Sequence, residues 1–160
     1  MKNYTDEEFK RIMDDWGDMV LRICFVRLRN FADAQDAFQE VFLKLYRAKK
    51  TPEPEFLKPW LIKTACNTCA SQLRSRRIFL PLSEDIPAAE AFYDHTVLSA
   101  VLSLSQTDRT LVYLFYYENL KTAEIARITG IKDATVRTRL RRARLTLKEI
   151  LQEDLYEESF

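Results

Sequence analysis

Apolar side chains recur at intervals of three and four residues along most of the 160-residue chain. Over about residues 5–29 the repeat includes Phe9, Trp16, Val20 and Ile23, which places these side chains on one face of an amphipathic helix. A second helix is predicted to begin with Asp33 as its N-cap and to reach about residue 47. Its inward stripe is Ala34, Ala37, Phe38, Val41 and Leu45.

Residues 48–59 hold three of the chain's five prolines and are predicted to form a loop, because proline breaks a continuous helix. A third helix is predicted from about Trp60 to Arg77. One side of it carries a polar row at helical spacing, Lys63, Asn67, Ser71 and Arg74. Such a row either reads base edges and phosphates or is simply solvated, and the pattern alone leaves both interpretations open.

Four more helices are predicted in the second half, over about residues 95–103, 106–117, 121–129 and 133–151. The segment before them is acidic, contains Pro81 and Pro87 and lacks a helical period, which indicates a linker. With only two glycines in the chain, hairpin turns are scarce and the predicted fold is all-α. We expect two small helical domains, residues 1–79 and 96–160, joined by the acidic linker 80–95. The acidic tail, residues 154–160, is expected to be disordered.

Residues 123–144, AEIARITGIKDATVRTRLRRAR, have the pattern of a helix-turn-helix motif. Gly130 is expected to end the first helix in a left-handed conformation, which turns the chain sharply. In the second helix the inward positions are Val136, Leu140, Ala143 and Leu147. The outward positions are Thr135, Arg137, Thr138, Arg141, Arg142 and Leu145. Because the N-terminal part of such a helix enters the major groove, where arginine and threonine read base edges, this face is predicted to contact DNA.

Charge is unevenly distributed along the chain, although the net charge is only +1. Residues 121–148 hold nine Lys or Arg against two acidic residues, whereas residues 81–95 hold four acidic residues and no Lys or Arg. Residues 61–80 add four basic residues and no acid. No acid lies between Asp133 and Glu149 to pair with the arginines, which disfavours an ordinary solvated face. Two basic segments separated by an acidic one indicate two nucleic-acid contacts.

The three cysteines, Cys24, Cys66 and Cys69, are odd in number, and no signal-peptide pattern precedes them. No apolar run approaches the roughly 20 residues that a membrane span needs, so we expect a cytoplasmic protein with reduced thiols and no membrane insertion. Cys66 and Cys69 have the spacing of half a zinc site or of a redox pair. The sequence has no second pair, and its single histidine, His95, lies in another segment. A structural role is therefore favoured, and we expect neither a metal nor another cofactor.

Three strings, taken together, resemble the sigma factors of bacterial RNA polymerase. The string AEIA…GI…TVRTRLRRAR is similar to the part of these proteins that reads the −35 promoter element. DAQDAFQEVFLKLYR resembles the helix that binds core polymerase, and PWLIKTACNTCASQLRSRR resembles the helix that binds the −10 element. The resemblance covers about residues 16–80 and 97–150, and its pattern is similar to the extracytoplasmic-function, or group IV, members of the sigma-70 family.

The resemblance implies three sets of contacts. The β′ clamp helices of core polymerase would meet Asp36, Gln39, Glu40 and Phe42, and the apolar Leu43 lies on the same side. A base flipped out of the −10 element would be held by Lys49, Lys50 and Thr51, and the rest of that strand would meet Trp60, Lys63, Asn67, Ser71 and Arg74. The −35 element would be read by Arg137, Thr138, Arg141 and Arg142, with Thr135 and Lys132 beside them. Trp60 is equally interpretable as a core residue, and Leu111 and Phe115 as core or as a groove for the polymerase β flap.

Three positions depart from the family's usual residues, which leaves the promoter sequence open. Ser71 stands where aspartate or asparagine is common, and Arg141 stands where an aromatic residue or histidine is frequent. Lys121 stands where a serine often caps the helix, so either Thr122 caps it instead or this terminus is weaker.

The function implied by the resemblance is that of an alternative sigma factor, which binds core polymerase, recognises the −10 and −35 elements and promotes transcription initiation. It implies no catalysis, no cofactor and no small-molecule substrate; the partners are core polymerase, promoter DNA and an anti-sigma factor. Two alternatives stay open, a redox or metal enzyme built on Cys66 and Cys69 and a stand-alone repressor or activator. Because stand-alone helix-turn-helix regulators usually bind palindromes as dimers, dependence on polymerase distinguishes the sigma factor from such a regulator.

Overall fold

Helices account for every regular element in the residues that the computed structural model describes, which are 4–76 and 95–158, with side chains at 4–75 and 97–152. These residues fall into two compact units, one on each side of the undescribed segment 77–94. The first unit consists of α1 (Asp6–Leu28), α2 (Phe31–Arg47) and α3 (Pro54–Arg76). The second consists of α4 (His95–Leu102), α5 (Gln106–Val112), a π-helical turn (Tyr113–Tyr117), α6 (Thr122–Thr129) and α7 (Asp133–Glu158). The all-α prediction is confirmed; the predicted linker, apart from His95, lies outside the described residues.

Side-chain caps set the ends of the first two helices. At the start of α1 the Thr5 hydroxyl accepts a hydrogen bond from the Glu8 N–H at 3.2 Å, and the Glu8 carboxylate accepts one from the Thr5 N–H at 2.9 Å. α1 ends at Leu28, and the C-cap residue Arg29 has a left-handed φ of 58°. The prediction of Asp33 as the N-cap of α2 is wrong. Asn30 caps this helix, since its side-chain oxygen accepts a hydrogen bond from the Asp33 N–H at 3.0 Å, which places Asp33 inside the first turn.

The core of the first unit lies where α1, α2 and α3 pack together. Its fully buried side chains include Val20 and Ile23 of α1, Leu45 of α2 and Leu61 of α3. The predicted inward stripe of α2 is confirmed, because four of its five residues have no exposed surface and the fifth, Phe38, is half-buried. The apolar repeat of the sequence is therefore the packing face of this three-helix unit.

The third helix begins six residues earlier than its prediction, at Pro54 rather than Trp60. Proline is tolerated at the first position of a helix, where its missing N–H would have no partner and its fixed φ is already helical. Pro59 lies in the second turn, where it removes one hydrogen bond, to the carbonyl of Glu55. The loop that joins α2 to α3 is correspondingly short and spans residues 48–53.

The second unit contains the predicted helix-turn-helix, formed by α6 and α7. Its core includes Leu111, Leu114, Ile125 and Leu140, all at most 2% exposed. α6 begins after Lys121 without a side-chain cap, so the weaker of the two predicted starts is the observed one. The prediction of a disordered tail is wrong for residues 154–158, because the backbone of α7 continues as a helix to Glu158. Among the described helices, none combines the length and apolar character needed to cross a membrane.

The two glycines differ in backbone conformation, which predicts substitutions of opposite sign. Gly130 ends α6 with a φ of 76°, so an alanine there is strained, and we expect the free energy of unfolding to fall by about 1 kcal/mol. Gly17 is inside α1, and an added Cβ would lie 3.6 Å from the Phe38 ring, an ordinary contact. Gly17→Ala is therefore expected to raise the free energy of unfolding by up to about 1 kcal/mol.

Urea unfolding of the full chain measures both effects, with hydrogen exchange as the readout for each unit separately. A destabilising Gly17→Ala would show that the Phe38 contact is tighter than its distance indicates. A neutral Gly130→Ala would show that the turn between α6 and α7 accommodates an L-residue without strain.

Candidate nucleic-acid and polymerase interfaces

The outward face of α7, with Lys132 just before its first residue, holds the residues that the sequence predicts for the −35 element. The inward positions Val136, Leu140 and Ala143 are buried, which fixes the orientation of the helix in the second unit. The six predicted readers are all exposed: Lys132, Thr135, Arg137, Thr138, Arg141 and Arg142. The N-terminal half of α7 thus presents one continuous face of cations and hydroxyls, the groups that pair with base edges and phosphates.

The five arginines between residues 137 and 144 do not share one role, although they look equivalent in the sequence. Arg139 Nη1 lies 3.0 Å from Asp108 Oδ1, which ties α7 to α5. Arg144 Nη1 donates a hydrogen bond to the Tyr116 hydroxyl at 3.3 Å. In the part of the chain that the structure describes, the guanidinium groups of Arg141 and Arg142 have no ion pair or hydrogen-bond partner. Arg139 and Arg144 therefore hold the helix in place, whereas Arg141 and Arg142 keep their guanidinium donors for a ligand.

Arg137 is intermediate between the arginines that anchor α7 and those whose guanidinium groups have no described partner. Its Nε lies 3.7 Å from Asp133 Oδ2, one turn earlier on the same helix, and both side chains are about half exposed. Exposed pairs of this kind contribute only about 0–1 kcal/mol, so a phosphate or a base can replace the carboxylate at little cost. Thr138 is exposed and donates its hydroxyl proton to the Ala134 carbonyl at 2.9 Å, so its hydroxyl oxygen can still accept a hydrogen bond.

The polar row on α3 is exposed at every predicted position, which are Lys63, Asn67, Ser71 and Arg74. Trp60, at the start of this row, is half-buried, so it belongs partly to the core and partly to the surface. The buried Thr68 lies beside Asn67, and its hydroxyl accepts a hydrogen bond from Lys44 Nζ of α2 at 3.0 Å. This contact fixes α3 against α2 at the middle of the row.

The loop between α2 and α3 borders a groove of about 780 Å³. Lys49 and Lys50 are exposed on the loop, and Thr51 is half-buried. The opposite wall comes from the first turns of α1 and from Tyr4, which lies just before that helix and whose hydroxyl donates a hydrogen bond to the Pro52 carbonyl at 3.3 Å. Burial raises the pKa of Tyr4 despite a hydrogen bond from Thr51, so this phenol stays protonated and remains a donor. Sequence reasoning missed Tyr4, because it precedes the first helix and belongs to no periodic pattern.

The exposed side of α2 carries the residues predicted to meet polymerase. Asp36, Gln39 and Glu40 are exposed, and Leu43 keeps 47% of its surface open to solvent. Phe42, which the resemblance assigned to this face, is only 3% exposed, and its ring lies 4.8 Å from the ring of Phe38. Phe42 therefore packs beneath the face and presents no side chain to a partner. Phe38 and Phe42 are four residues apart, which places both rings on the same side of α2, so the burial of Phe42 could have been predicted from the sequence.

The cysteines lie in and beside the core of the first unit as free thiols. Cys24 and Cys69 are buried and Cys66 is half-buried. A hydrogen bond with Cys69, together with burial, raises the pKa of Cys24. Burial raises the pKa of Cys66 from 9.0 to about 11. Within the described residues, no group of three His, Cys, Asp or Glu side chains has an arrangement that could hold a metal ion.

The raised pKa of Cys66 predicts a slow reaction with thiol reagents at pH 8. A thiol with a pKa of about 11 holds roughly 100-fold less thiolate at this pH than one with a pKa of 9, because each pKa unit is a tenfold change. The higher-pKa thiolate is the stronger nucleophile, which offsets part of this deficit, so we expect alkylation to be about tenfold slower. Iodoacetamide labelling followed by mass spectrometry measures this rate, with the urea-unfolded chain as the control. Equal rates in the folded and unfolded chains would contradict the burial argument.

Comparisons with known proteins agree with the two-unit arrangement. The family described as Sigma-70 region 2 matches residues 12–78, and Sigma-70, region 4 matches residues 95–147. The RNA polymerase sigma factor SigV of Bacillus subtilis is 32% identical over 84% of this chain and 86% of its own length. The ECF RNA polymerase sigma factor SigW of the same organism is 23% identical over 96% of this chain and 94% of its own length. The match to the probable sigma factor RfaY of Xanthomonas campestris, at 29% identity, spans 91% of this chain but only 41% of that protein.

A solved structure shares the fold. The sigma factor RpoE of Bartonella quintana, crystallised with the anti-sigma factor NepR, aligns with a TM-score of 0.74 over 91% of this chain and 98% of its own, at 20% identity. The order of the two matched regions, the helix-turn-helix in the second of them and the level of identity to SigV together settle the family. The chain belongs to the sigma-70 family and is an alternative RNA polymerase sigma factor of the extracytoplasmic-function type.

Proposed function

We propose that this sigma factor divides promoter recognition among three helices. The exposed face of α2, made of Asp36, Gln39, Glu40 and Leu43, binds the β′ clamp helices of core polymerase. The polar row of α3 and the loop at residues 48–53 bind the −10 element. The face of α7 formed by Lys132, Thr135, Arg137, Thr138, Arg141 and Arg142 reads the −35 element. Sigma factors are initiation factors rather than enzymes, so the polymerase supplies the catalysis.

The observation that carries this proposal is the state of Arg141 and Arg142. Both guanidinium groups are exposed at the N-terminal half of α7 without a partner among the described residues, and neighbouring arginines anchor the helix on its other sides. A guanidinium group with free donors at this end of a recognition helix is suited to bidentate pairing with the O6 and N7 acceptors of guanine. Within the described residues, no acidic side chain forms an ion pair with Arg141 or Arg142 that DNA would have to displace.

Support for the −10 assignment comes from the exposed amide, hydroxyl and cationic groups along α3. Asn67 and Ser71 offer donors and acceptors to bases, and Lys63 and Arg74 offer charge to phosphates. Extraction of one base from the duplex costs a few kcal/mol, which contacts to its face and edge must recover. The groove beside Lys49 and Lys50 has a volume in the range of small-ligand sites, which extends from roughly 300 to 1,000 Å³.

An anti-sigma protein is a further partner in this proposal. RpoE of Bartonella quintana is bound to such a protein in its crystal structure, and RpoE shares the fold of this chain. The same exposed faces of α2, α3 and α7 that bind polymerase and DNA would be covered in such a complex. We place the protein in the cytoplasm, where core polymerase and promoter DNA are found.

In vitro transcription with purified core polymerase on a promoter library tests the proposal. Addition of the full chain is expected to produce initiation at a subset of promoters that share −10 and −35 sequences. Footprints on these promoters should require the polymerase. Strong protection of a palindrome by the chain alone would instead indicate a stand-alone regulator, and an unchanged transcript pattern would refute the proposed function.

A further inference from the structure

Lys44 lies on α2 between two surfaces that the proposed function assigns to different partners. Its Nζ atom is 3.2 Å from Glu40 Oε1, which belongs to the exposed face of α2. The same Nζ atom donates a hydrogen bond to the Thr68 hydroxyl of α3 at 3.0 Å. Thr68 has 1% of its surface exposed and directly follows Asn67 of the polar row. One ammonium group therefore joins the face proposed for polymerase to the helix proposed for the −10 element.

The two contacts of this ammonium group differ in how easily they can be replaced. The side chains of Lys44 and Glu40 are 45% and 54% exposed, so water or a cationic group of a partner can replace their ion pair at little cost. The buried Thr68 hydroxyl has no other polar partner among the described residues, and loss of the ammonium group would leave it unsatisfied. We therefore expect the ammonium group to stay at Thr68 when a partner binds Glu40.

The contact with Thr68 limits how α3 can shift or rotate against α2. Apolar packing between the two helices is not directional, whereas a hydrogen bond weakens steeply as its angle departs from linear. Thr68 lies one residue after Asn67 and three residues before Ser71, so a displacement at Thr68 moves both of these side chains. Groups that recognise a ligand must be held to within about 0.5 Å, and a hydrogen bond beneath the polar row is suited to this task.

We infer that Lys44 is a positioning residue for the −10 element: from α2 it holds Thr68, and this contact sets where Asn67 and Ser71 lie relative to the face that binds polymerase. Lys44 itself contacts no base. The inference rests on the proposed function and adds to it a residue that belongs to neither proposed surface. Since bound polymerase fixes the face of α2, loss of the contact displaces the polar row from the strand that the polymerase presents.

Binding of a single strand to the purified polymerase complex tests the inference. The probe is a fluorescein-labelled strand that the complex with the unmodified chain selects from a random pool, and a scrambled strand is the reference. Lys44→Met keeps an unbranched side chain and removes the ammonium group. We expect it to lower the ratio of the two affinities by about fivefold, the effect of one hydrogen bond. Thr68→Val breaks the same contact and should give the same loss, and an unchanged ratio in either variant would overturn the inference.

The variant that carries both Lys44→Met and Thr68→Val separates positioning from stability. A single change leaves one polar group without its partner, whereas replacement of both partners by apolar groups can be nearly neutral for folding. We expect the urea midpoint of the double variant to return toward that of the unmodified chain, while the affinity ratio stays as low as in Lys44→Met. A ratio that recovers with stability would show that Lys44 only supports the fold and would overturn the inference. A ratio below that of Lys44→Met would show independent effects and would also overturn it.

Lys10→Met is the matched control, because it removes the same charge at an exposed position of α1 in the same unit. Its affinity ratio should stay within about twofold of the unmodified chain, since charge acts locally at physiological ionic strength. Equal losses in Lys10→Met and Lys44→Met would show a dependence on net charge and overturn the inference. If selection with the unmodified complex yields no preferred strand, the proposed −10 contact itself fails. If it does yield one and Lys44→Met is equally selective, only the positioning role fails.

Discussion

An alanine at position 142 is expected to weaken binding to the −35 element by between about fivefold and 150-fold, because a bidentate arginine–guanine pair contributes about 1–3 kcal/mol of discrimination. The Arg142 side chain is exposed and makes no hydrogen bond or ion pair with the described residues, so we expect its loss to leave the packing of α7 unchanged. Fluorescence anisotropy measures the effect on a −35 duplex chosen by selection with the polymerase complex. The same titration on a scrambled duplex separates sequence reading from general attraction to DNA.

The matched control for this variant is Arg144→Ala, two residues further along the same helix. Arg144 is also exposed, but its guanidinium group is hydrogen-bonded to Tyr116. We expect its loss to change −35 affinity by less than about threefold, because it removes charge without removing a base contact. If Arg142→Ala lowers the affinity for the selected and the scrambled duplex equally, Arg142 contacts phosphate and does not read bases.

Reversal of charge at Glu40 is expected to reduce the association with core polymerase by at least about tenfold, because a like charge in a complementary interface is strongly disfavoured. In the free protein Glu40 is exposed and pairs with Lys44 at 3.2 Å. Glu40→Lys therefore also places two cations one turn apart, which costs a few tenths of a kcal/mol in helix stability. Glu40→Gln removes the charge without this repulsion and is expected to give a smaller loss. Competition with a labelled sigma factor for core polymerase measures association, and thermal unfolding reports the fold.

The control for Glu40 is Asp14→Lys, which makes the same change of charge at an exposed position of α1 outside the proposed face. Its association with core polymerase is expected to stay within about twofold of the unmodified chain, since charge acts locally at physiological ionic strength. An equal loss in both variants would show a dependence on net charge alone. Unchanged association in Glu40→Lys would remove α2 from the polymerase contact.

Periodicity predicted the elements of this fold well and their beginnings less well. The inward stripe of α2 and the end of α6 at Gly130 follow from residue spacing and from the need for a left-handed turn. The start of α3 does not follow from residue spacing. Proline breaks the interior of a helix but is accepted in its first turn, where Pro54 lies. Asp33 and Asn30 are both good capping residues three positions apart, and only the path of the chain after Arg29 decides between them.

The residues of the candidate site were predictable from the sequence where exposure on a helix face is enough to assign a role. They were not predictable where the role depends on which neighbouring side chain lies within reach. A helical wheel places Arg139 and Arg144 near the edges of the basic face, but it cannot show that Asp108 and Tyr116 lie within reach. Phe42 was assigned through the resemblance of its string, although its contact with Phe38 removes it from the surface. Tyr4 carries no sequence signal, because its importance comes from a loop some 48 residues away in the chain.

The bare start of α6 has a consequence for how the second unit opens. Among the described residues, no side chain caps the N–H groups of the first turn, and the first backbone hydrogen bond of the helix runs from the N–H of its fourth residue, Ile125, to the Lys121 carbonyl. A lysine at this position also sets a cation against the positive end of the helix dipole. Fraying from this end is therefore expected to cost little, and the amide protons of Ala123 and Glu124 are expected to exchange with solvent before those in the middle of α7.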